Sequence, residues 1–300
     1  MRIGFLGLGQ MGKHIALNLL KSGEELVVND VKTDSYAEFE ARGARTTTDL
    51  AEIAAADFIF LSLPNSSVVR SVLFANDGLC KRWKAGQTIV DLSTITYSAT
   101  IEIATILEQY GVAFLDAPVS GMEARAKDGT LTVMCGGPRE TFDRVRPYLD
   151  CIGNKILYLG VSGSGQLTKL INQLLFDISA AALAEILPMA VKMGLDPESV
   201  AEVVNSGTGR SYASEFFLPR ILAGGFGEGY PMKAAYKDLI SAAEISVNLG
   251  IPLPVLAAAT ATYQQALLRG YGNQNKGGMI QVFEELLGVR FRNAPANSKD

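Results

Sequence analysis

Over the first 160 residues, short apolar runs alternate with amphipathic stretches of helical period. The runs at 2–6, 26–29, 58–63, 88–92, 112–115, 131–135 and 156–159 are four to six residues long, the length of buried strands. Between them, 13–21, 49–55, 99–110 and 140–149 carry a helical period. Gly23 and Gly111 stand where helices end, at positions whose left-handed backbone glycine adopts without a steric penalty. Strands alternating with helices predict a mainly parallel, doubly wound α/β sheet. After Gly165 the strand pattern stops. Residues 166–193 read as one apolar helix about 40 Å long at 1.5 Å per residue, with a kink expected at Pro188. Asp196-Pro197 supplies an N-cap and a first-turn proline for a helix running to about Ser206, and 233–248, 255–269 and 279–287 are also helical. The expected architecture is therefore an α/β domain over residues 1–162 and an all-α domain over 163–300, joined by the long helix. The polar tail, 293–300, is expected to be loose.

Composition narrows the class. Hydrophobic residues make up 48% and charged residues 19%, as in a well-buried globular protein. The balance of 27 Lys+Arg against 31 Asp+Glu holds no basic block, so neither nucleic acid nor an anionic membrane is expected as a partner. The apolar stretch from Leu174 to Met193 is interrupted by Asp177, Glu185, Pro188 and Lys192, which reads as a buried helix and not a membrane span. An apolar strand begins at Ile3, where a secretory leader would carry its charged region. Cys80, Cys135 and Cys151 are odd in number and far apart, which argues against a disulfide framework or a thiolate metal site and for a reducing compartment. A cytoplasmic location and no metal are expected. The single histidine, His14, stands two residues past a glycine-rich turn on the first helix, where it reads as a solvated residue. A reaction needing an acid/base must draw it from elsewhere.

The most informative segment is Gly7-Leu8-Gly9-Gln10-Met11-Gly12, a G-x-G-x-x-G placed between the first strand and the first helix. The first glycine permits the tight turn, the second lets backbone approach a pyrophosphate, and the third lets helix pack on strand. Asp30 ends the second strand, eighteen residues past Gly12, where a carboxylate accepts hydrogen bonds from the adenine-ribose hydroxyls. The first domain is thus expected to be a Rossmann-type dinucleotide-binding fold. The charge of Asp30 repels a 2′-phosphate, so NAD is the expected cofactor, with Lys32 nearby leaving NADP possible.

Four ordered motifs carry a resemblance. Gly4-Phe5-x-Gly7-Leu8-Gly9-x-Met11-Gly12, Asp116-Ala117-Pro118-Val119-Ser120-Gly121 continuing to Gly129-Thr130-Leu131, Gly163-Ser164-Gly165-Gln166-Leu167-Thr168-Lys169-Leu170-Ile171-Asn172-Gln173, and Lys237-Asp238-Leu239 occur in order over almost the whole chain. In these the chain resembles the β-hydroxyacid dehydrogenase family, which includes 3-hydroxyisobutyrate dehydrogenase and tartronate semialdehyde reductase. The resemblance implies that Lys169 is the catalytic acid/base, with Asn172 and Gln173 on the same helix face orienting the substrate. A semi-buried helical lysine loses solvation, which draws its pKa toward working pH. It implies too that Ser120 and Gly121 bind the substrate carboxylate, with Met122 beside them where the family usually has a second glycine. Leu63, Pro64, Thr94 and Lys237 fall on cofactor positions. A second departure is Lys276-Gly277-Gly278, where the family has an acidic-polar stretch.

The function these residues imply is reversible hydride transfer between NAD(P) and a small β-hydroxy acid or its semialdehyde. Rivals within the family are tartronate or succinic semialdehyde reductases and glyoxylate reductase. The chain is short for 6-phosphogluconate dehydrogenase and has Ile171 where that relative has histidine, whereas imine reductases generally lack the lysine. A non-catalytic dinucleotide-binding scaffold is a rival of a different class, opposed by Lys169, Asn172 and Ser120. The large apolar helices of the second half suggest a homo-oligomer, a dimer or tetramer.

Overall fold

The computed structural model describes residues 1–293; positions 294–300, most of the tail expected to be loose, lie outside the described residues. The chain divides into two compact units, Met1–Lys169 and Leu170–Asp300.

In the first unit, β1 (Arg2–Leu6), α1 (Gly12–Leu19), β2 (Glu25–Asn29), α2 (Tyr36–Glu40), β3 (Arg45–Thr46), α3 (Leu50–Ala54), β4 (Phe58–Leu61), α4 (Ser66–Phe74), β5 (Thr88–Asp91), α5 (Tyr97–Gln109) and β6 (Ala113–Asp116) build a Rossmann-like sheet. Its six strands are all parallel, in the order β3-β2-β1-β4-β5-β6. The order reverses at β1, which sits between β2 and β4 with Phe5 opposite Val28 and Phe60. Alternate residues feed two cores. Ile3, Phe5, Val28, Phe60 and Leu115 pack with Ile15 of α1 on one face, while Leu6, Val27, Ile59 and Phe114 meet Ile53, Leu73 and Ile103 on the other. Burial on both faces is why these strands appear in the sequence as continuous apolar runs.

The runs at 131–135 and 156–159 do not extend this sheet. They lie in β8 (Leu131–Cys135) and β9 (Gly153–Tyr158), which with β7 (Val119–Ser120) form a separate three-stranded sheet, β7 antiparallel to β8 and β8 parallel to β9. Between them come α6 (Met122–Asp128) and α7 (Arg139–Leu149). One isolated bridge, Asp116 to Gly136, runs from the edge strand β6 to the end of β8. Alternation of elements specifies strands and crossovers but not which sheet receives them. The short elements α2, β3, α4, β7 and α6 are additions to the expected set, and so is α10 below.

α8 (Ser164–Lys192) is a single 29-residue helix that contains Pro188 without ending there. It is followed by α9 (Pro197–Ser206), α10 (Tyr212–Leu222), α11 (Met232–Leu249), α12 (Pro254–Leu268) and α13 (Ile280–Leu287). Asp196 caps α9 through a 2.8 Å bond from the Ser199 amide, with Pro197 in the first turn. By length and mean hydropathy alone α8 passes for a membrane span, but its buried face, Ala180, Ala181, Ala184 and Leu187, belongs to the core of the second unit with Phe217, Leu239, Tyr263 and Ile280. Its other face is not buried as composition suggests: Ile171, Leu175, Ile186 and Met189 are exposed.

Candidate active site

The candidate cofactor residues of the first unit follow the carboxyl ends of the parallel strands, the edge at which open α/β sheets bind ligands. Gly7-Leu8-Gly9-Gln10-Met11-Gly12 follows β1, Asp30 follows β2, Leu63 and Pro64 follow β4, and Thr94 follows β5. The three glycines separate into three physical roles. Gly7 has φ +96 and a Cβ there would run into the Ser62 carbonyl. A Cβ on Gly12 would run into the Gly7 carbonyl, so α1 sits directly on the turn. At Gly9 an added Cβ meets nothing within 4 Å. The fold therefore requires Gly7 and Gly12 as glycines but leaves space over Gly9, which fits a pyrophosphate approaching the backbone at the start of α1. Asp30 is tied to the same loop, its Oδ2 accepting from the Leu8 amide at 2.5 Å and its Oδ1 from the Lys32 amide at 2.8 Å.

Behind β5 and β6 lies a buried polar network that sequence patterning does not foretell. The Ser93 hydroxyl accepts from the Leu63 amide at 2.8 Å, and the Ser93 carbonyl accepts from Gln166 Nε2 at 2.6 Å. Asp91, fully buried, accepts from the Ser93 amide. Burial pushes its carboxyl up to about 7, opposed by the Ser93 hydroxyl and amide and aided by the charge of Asp116. Asp116, also fully buried, accepts from the amides of Gly163 and Gln166; burial raises it to about 6 against those bonds. Ser93 precedes Thr94 and Gln166 lies in the Lys169 motif, so adjacency to a candidate is the one signal the sequence offers for them.

Ser120 ends β7 and is half-buried; Gly121 follows with φ +144 and caps α6. Met122 then has φ 59, making it the one non-glycine residue with positive φ among the described residues. Its side chain is 49% exposed. Glu123 joins this segment to the glycine loop, accepting from Gln10 Nε2 at 2.8 Å. Lys127, Gln10 and His14 together hold its carboxyl down at about 2. His14 is accordingly half-buried with Glu123 at 3.3 Å, and not simply solvated.

Lys169 is buried, with 9% exposure, in the second turn of α8. Asn172 and Gln173 follow at i+3 and i+4 on the same helix, exposed and half-buried respectively. Asn172 Nδ2 donates to Gln173 Oε1 at 3.3 Å. Lys237 lies on α11 in the second unit, half-buried; burial draws its ammonium below the usual value while Asp238 opposes this. The first unit thus carries the glycine loop, Asp30, Leu63, Pro64, Thr94, Ser120, Gly121, Met122 and Lys169, and the second carries Asn172, Gln173 and Lys237.

Comparison with known proteins accounts for both units. Residues 2–160 match the NAD-binding domain of 6-phosphogluconate dehydrogenase, and residues 163–283 match the NAD-binding domain of NADP-dependent 3-hydroxyisobutyrate dehydrogenase. The 2-(hydroxymethyl)glutarate dehydrogenase of Eubacterium barkeri is 38% identical over 96% of this chain and 97% of its own. The mitochondrial 3-hydroxyisobutyrate dehydrogenase of Mus musculus is 33% identical over 94% of this chain and 87% of its own. The chain belongs to the β-hydroxyacid dehydrogenase family. A solved 3-hydroxyisobutyrate dehydrogenase from Salmonella typhimurium superposes with a TM-score of 0.83 at 30% identity, covering 94% of this chain and 100% of that one. As a β-hydroxyacid dehydrogenase, the protein is an NAD(P)-dependent oxidoreductase with the fold of a soluble enzyme.

Proposed function

We propose that this dehydrogenase oxidises a small β-hydroxy acid reversibly to its semialdehyde, preferring NAD, with Lys169 as the general acid/base. The observation that carries the reading is a buried lysine in the same compact unit as the dinucleotide loop and Asp30. The bound nicotinamide supplies the hydride acceptor. Lys169 Nζ takes the hydroxyl proton in oxidation and returns it in reduction. Asn172 and Gln173 present amides on the same helix to orient the alcohol. The Ser120 hydroxyl and the Gly121 amide hold the carboxylate, since an anion is best bound by several convergent donors. Leu63, Pro64 and Thr94 belong to the cofactor side of the first unit, and Lys237 is the second unit's candidate cofactor residue.

The substrates named for the relatives, 3-hydroxyisobutyrate and 2-(hydroxymethyl)glutarate, share one core: a carboxylate, an α-carbon bearing a substituent, and a primary alcohol next to it. That core is the substrate class proposed here, with the α-substituent left to Met122. The carboxylate of Asp30, bonded to the loop at the end of β2, repels a 2′-phosphate and so favours NAD over NADP. Two supports bear on setting. Cys80, Cys135 and Cys151 are all free thiols, which fits a cytoplasmic enzyme. Ile171, Leu175, Ile186 and Met189 are exposed apolar residues on α8, which suits burial against a second copy of the chain. The deciding assay is a panel of β-hydroxy acids with NAD and with NADP, followed by the absorbance of the reduced cofactor. Absence of turnover on every α-substituted 3-hydroxypropanoate would end the reading, and sedimentation of a monomer would end the oligomer proposal.

A further inference from the structure

The amide groups in the first turn of a helix have no partners within it, and something outside must accept from them. For α8 that acceptor comes from a distant strand. Asp116, the last residue of β6, directs its carboxylate at the start of the helix: Oδ1 accepts from the Gly163 amide at 2.7 Å and Oδ2 from the Gln166 amide at 2.9 Å. Two glycines make room for it. A Cβ on Gly136 would fall 2.7 Å from Oδ1, and one on Gly165 would fall 2.8 Å from Oδ2. The helix has a second anchor one strand away. Gln166 Nε2 donates to the Ser93 carbonyl at 2.6 Å, and Gln166 Oε1 accepts from the Ile95 amide at 3.3 Å. The first turn is thus pinned both to the end of β6 and to the turn after β5, the turn that also carries Thr94.

Lys169 lies three residues beyond Gln166, about 4.5 Å further along the helix at 1.5 Å per residue. With so short a lever, a shift of the first turn passes to the lysine almost undiminished. Resting on the reading of Lys169 as acid/base, we propose that Asp116 is a positioning residue that fixes Lys169 by capping α8 through the Gly163 and Gln166 amides. The charge is part of the device. A carboxylate offers both oxygens as acceptors, whereas the isosteric amide of asparagine turns one of them into a donor facing an N–H. Holding a bare carboxylate in a fully buried place has a cost, seen in the upward shift of its pKa, and the three-residue distance to the lysine gives that cost a use.

Asp116→Asn tests this in the full-length enzyme, with Lys169→Ala as control. The expected result is a kcat lowered about 10–100-fold, the scale of a sub-ångström to 1 Å misplacement of a reacting group. Dissociation of NADH, followed by its fluorescence, should stay within about 2-fold of wild type, since the glycine loop is untouched. Hydrogen exchange at residues 163–169 of the cofactor-free protein should quicken relative to the β1–β4 strands, a readout independent of turnover. Unchanged kcat in a folded Asp116→Asn protein, or equal losses in kcat and NADH binding, overturns the inference. Should that variant not fold, Gly136→Ala, which crowds Oδ1 without removing it, is judged by the same readouts. The control separates the two failures: full activity in Lys169→Ala defeats the lysine assignment itself, while an inactive Lys169→Ala beside a fully active Asp116→Asn defeats only the role of Asp116.

Discussion

Truncating Met122 separates a structural from a functional methionine. At φ 59 its backbone is left-handed, which costs a residue with a Cβ about 1–2 kcal/mol and glycine nothing. The side chain is 49% exposed, so its loss forfeits about half of the 1.5–3 kcal/mol of a fully buried methionine, or about 1 kcal/mol. Met122→Ala and Met122→Gly share that loss and differ in the Cβ. Within a helix alanine is the more stable of the two by about 1 kcal/mol; here the order should invert, with Met122→Gly the more stable by about 1 kcal/mol in urea unfolding. Both variants should change substrate choice alike. If the thioether meets the α-substituent, the ratio of kcat/KM for an α-carboxyethyl and an α-methyl 3-hydroxypropanoate should move by about 5–100-fold, corresponding to about 1–3 kcal/mol in an apolar pocket. Alanine as stable as glycine would refute the strained backbone. Inverted stabilities with an unmoved ratio would refute contact with substrate.

Lys169→Ala should lower kcat by about 10²–10⁴-fold, the range for a lost general acid–base group, and leave NADH binding near normal; near-normal turnover would end the assignment. Asp30→Asn should raise the efficiency with NADP relative to NAD by about 10-fold or more, equivalent to about 1.4 kcal/mol, and a wild-type enzyme already preferring NADP would contradict this. Asp91→Asn tests the buried carboxylate. The native carboxyl sits near 7 against an ordinary 3.8, so the native state holds the proton more tightly and the stability contributed by this group falls as pH rises from 4 to 7. Relative to wild type, the variant should therefore gain stability across that window, by up to about 4 kcal/mol in all, or about 1.4 kcal/mol for each step of one in pH; a flat difference between pH 4 and 8 would disprove it.

The parts legible in sequence were those written by local physics. β1, β2, β4, β5 and β6 declare themselves because burial on both faces makes each a continuous apolar run, and Asp196-Pro197 declares α9 because a cap and a first-turn proline act within four residues. The glycine loop is legible as a local pattern: Gly7 has a positive φ and Gly12 would clash with the Gly7 carbonyl of its own turn, although the Ser62 carbonyl that also excludes a Cβ at Gly7 is distant in sequence. What stayed hidden depends on partners distant in sequence. Nothing in the period of β8 says that it pairs with β7 and β9 instead of β6. Asp116 meets Gln166 fifty residues away and Gln10 meets Glu123 across 113. These contacts decide how the candidate site is held, and only the folded chain brings them into view.

That distinction also sorts the two departures from the family pattern. Lys276 is 3% exposed at its side chain and forms an ion pair with Asp177, to which Tyr263 also donates at 3.0 Å; its Nζ lies 4.4 Å from the centre of the Phe176 ring. A Cβ on Gly277 would press on Asn275 and Phe217 at 3.0–3.2 Å, and one on Gly278 would displace the Gln274 side chain. A cation buried in this way persists only with its partner, because removing one member of a buried pair costs about 3–5 kcal/mol. Lys276-Gly277-Gly278 is therefore held by packing within the core of the second unit, with Lys276 tied to Asp177. Met122 differs in kind: its backbone is strained and its side chain is half exposed beside Ser120 and Gly121. Backbone strain favours glycine at that position, and under the proposed function the methionine is retained for the α-substituent, which the kcat/KM ratio tests. Of the two departures, only Met122 carries an argument about substrate.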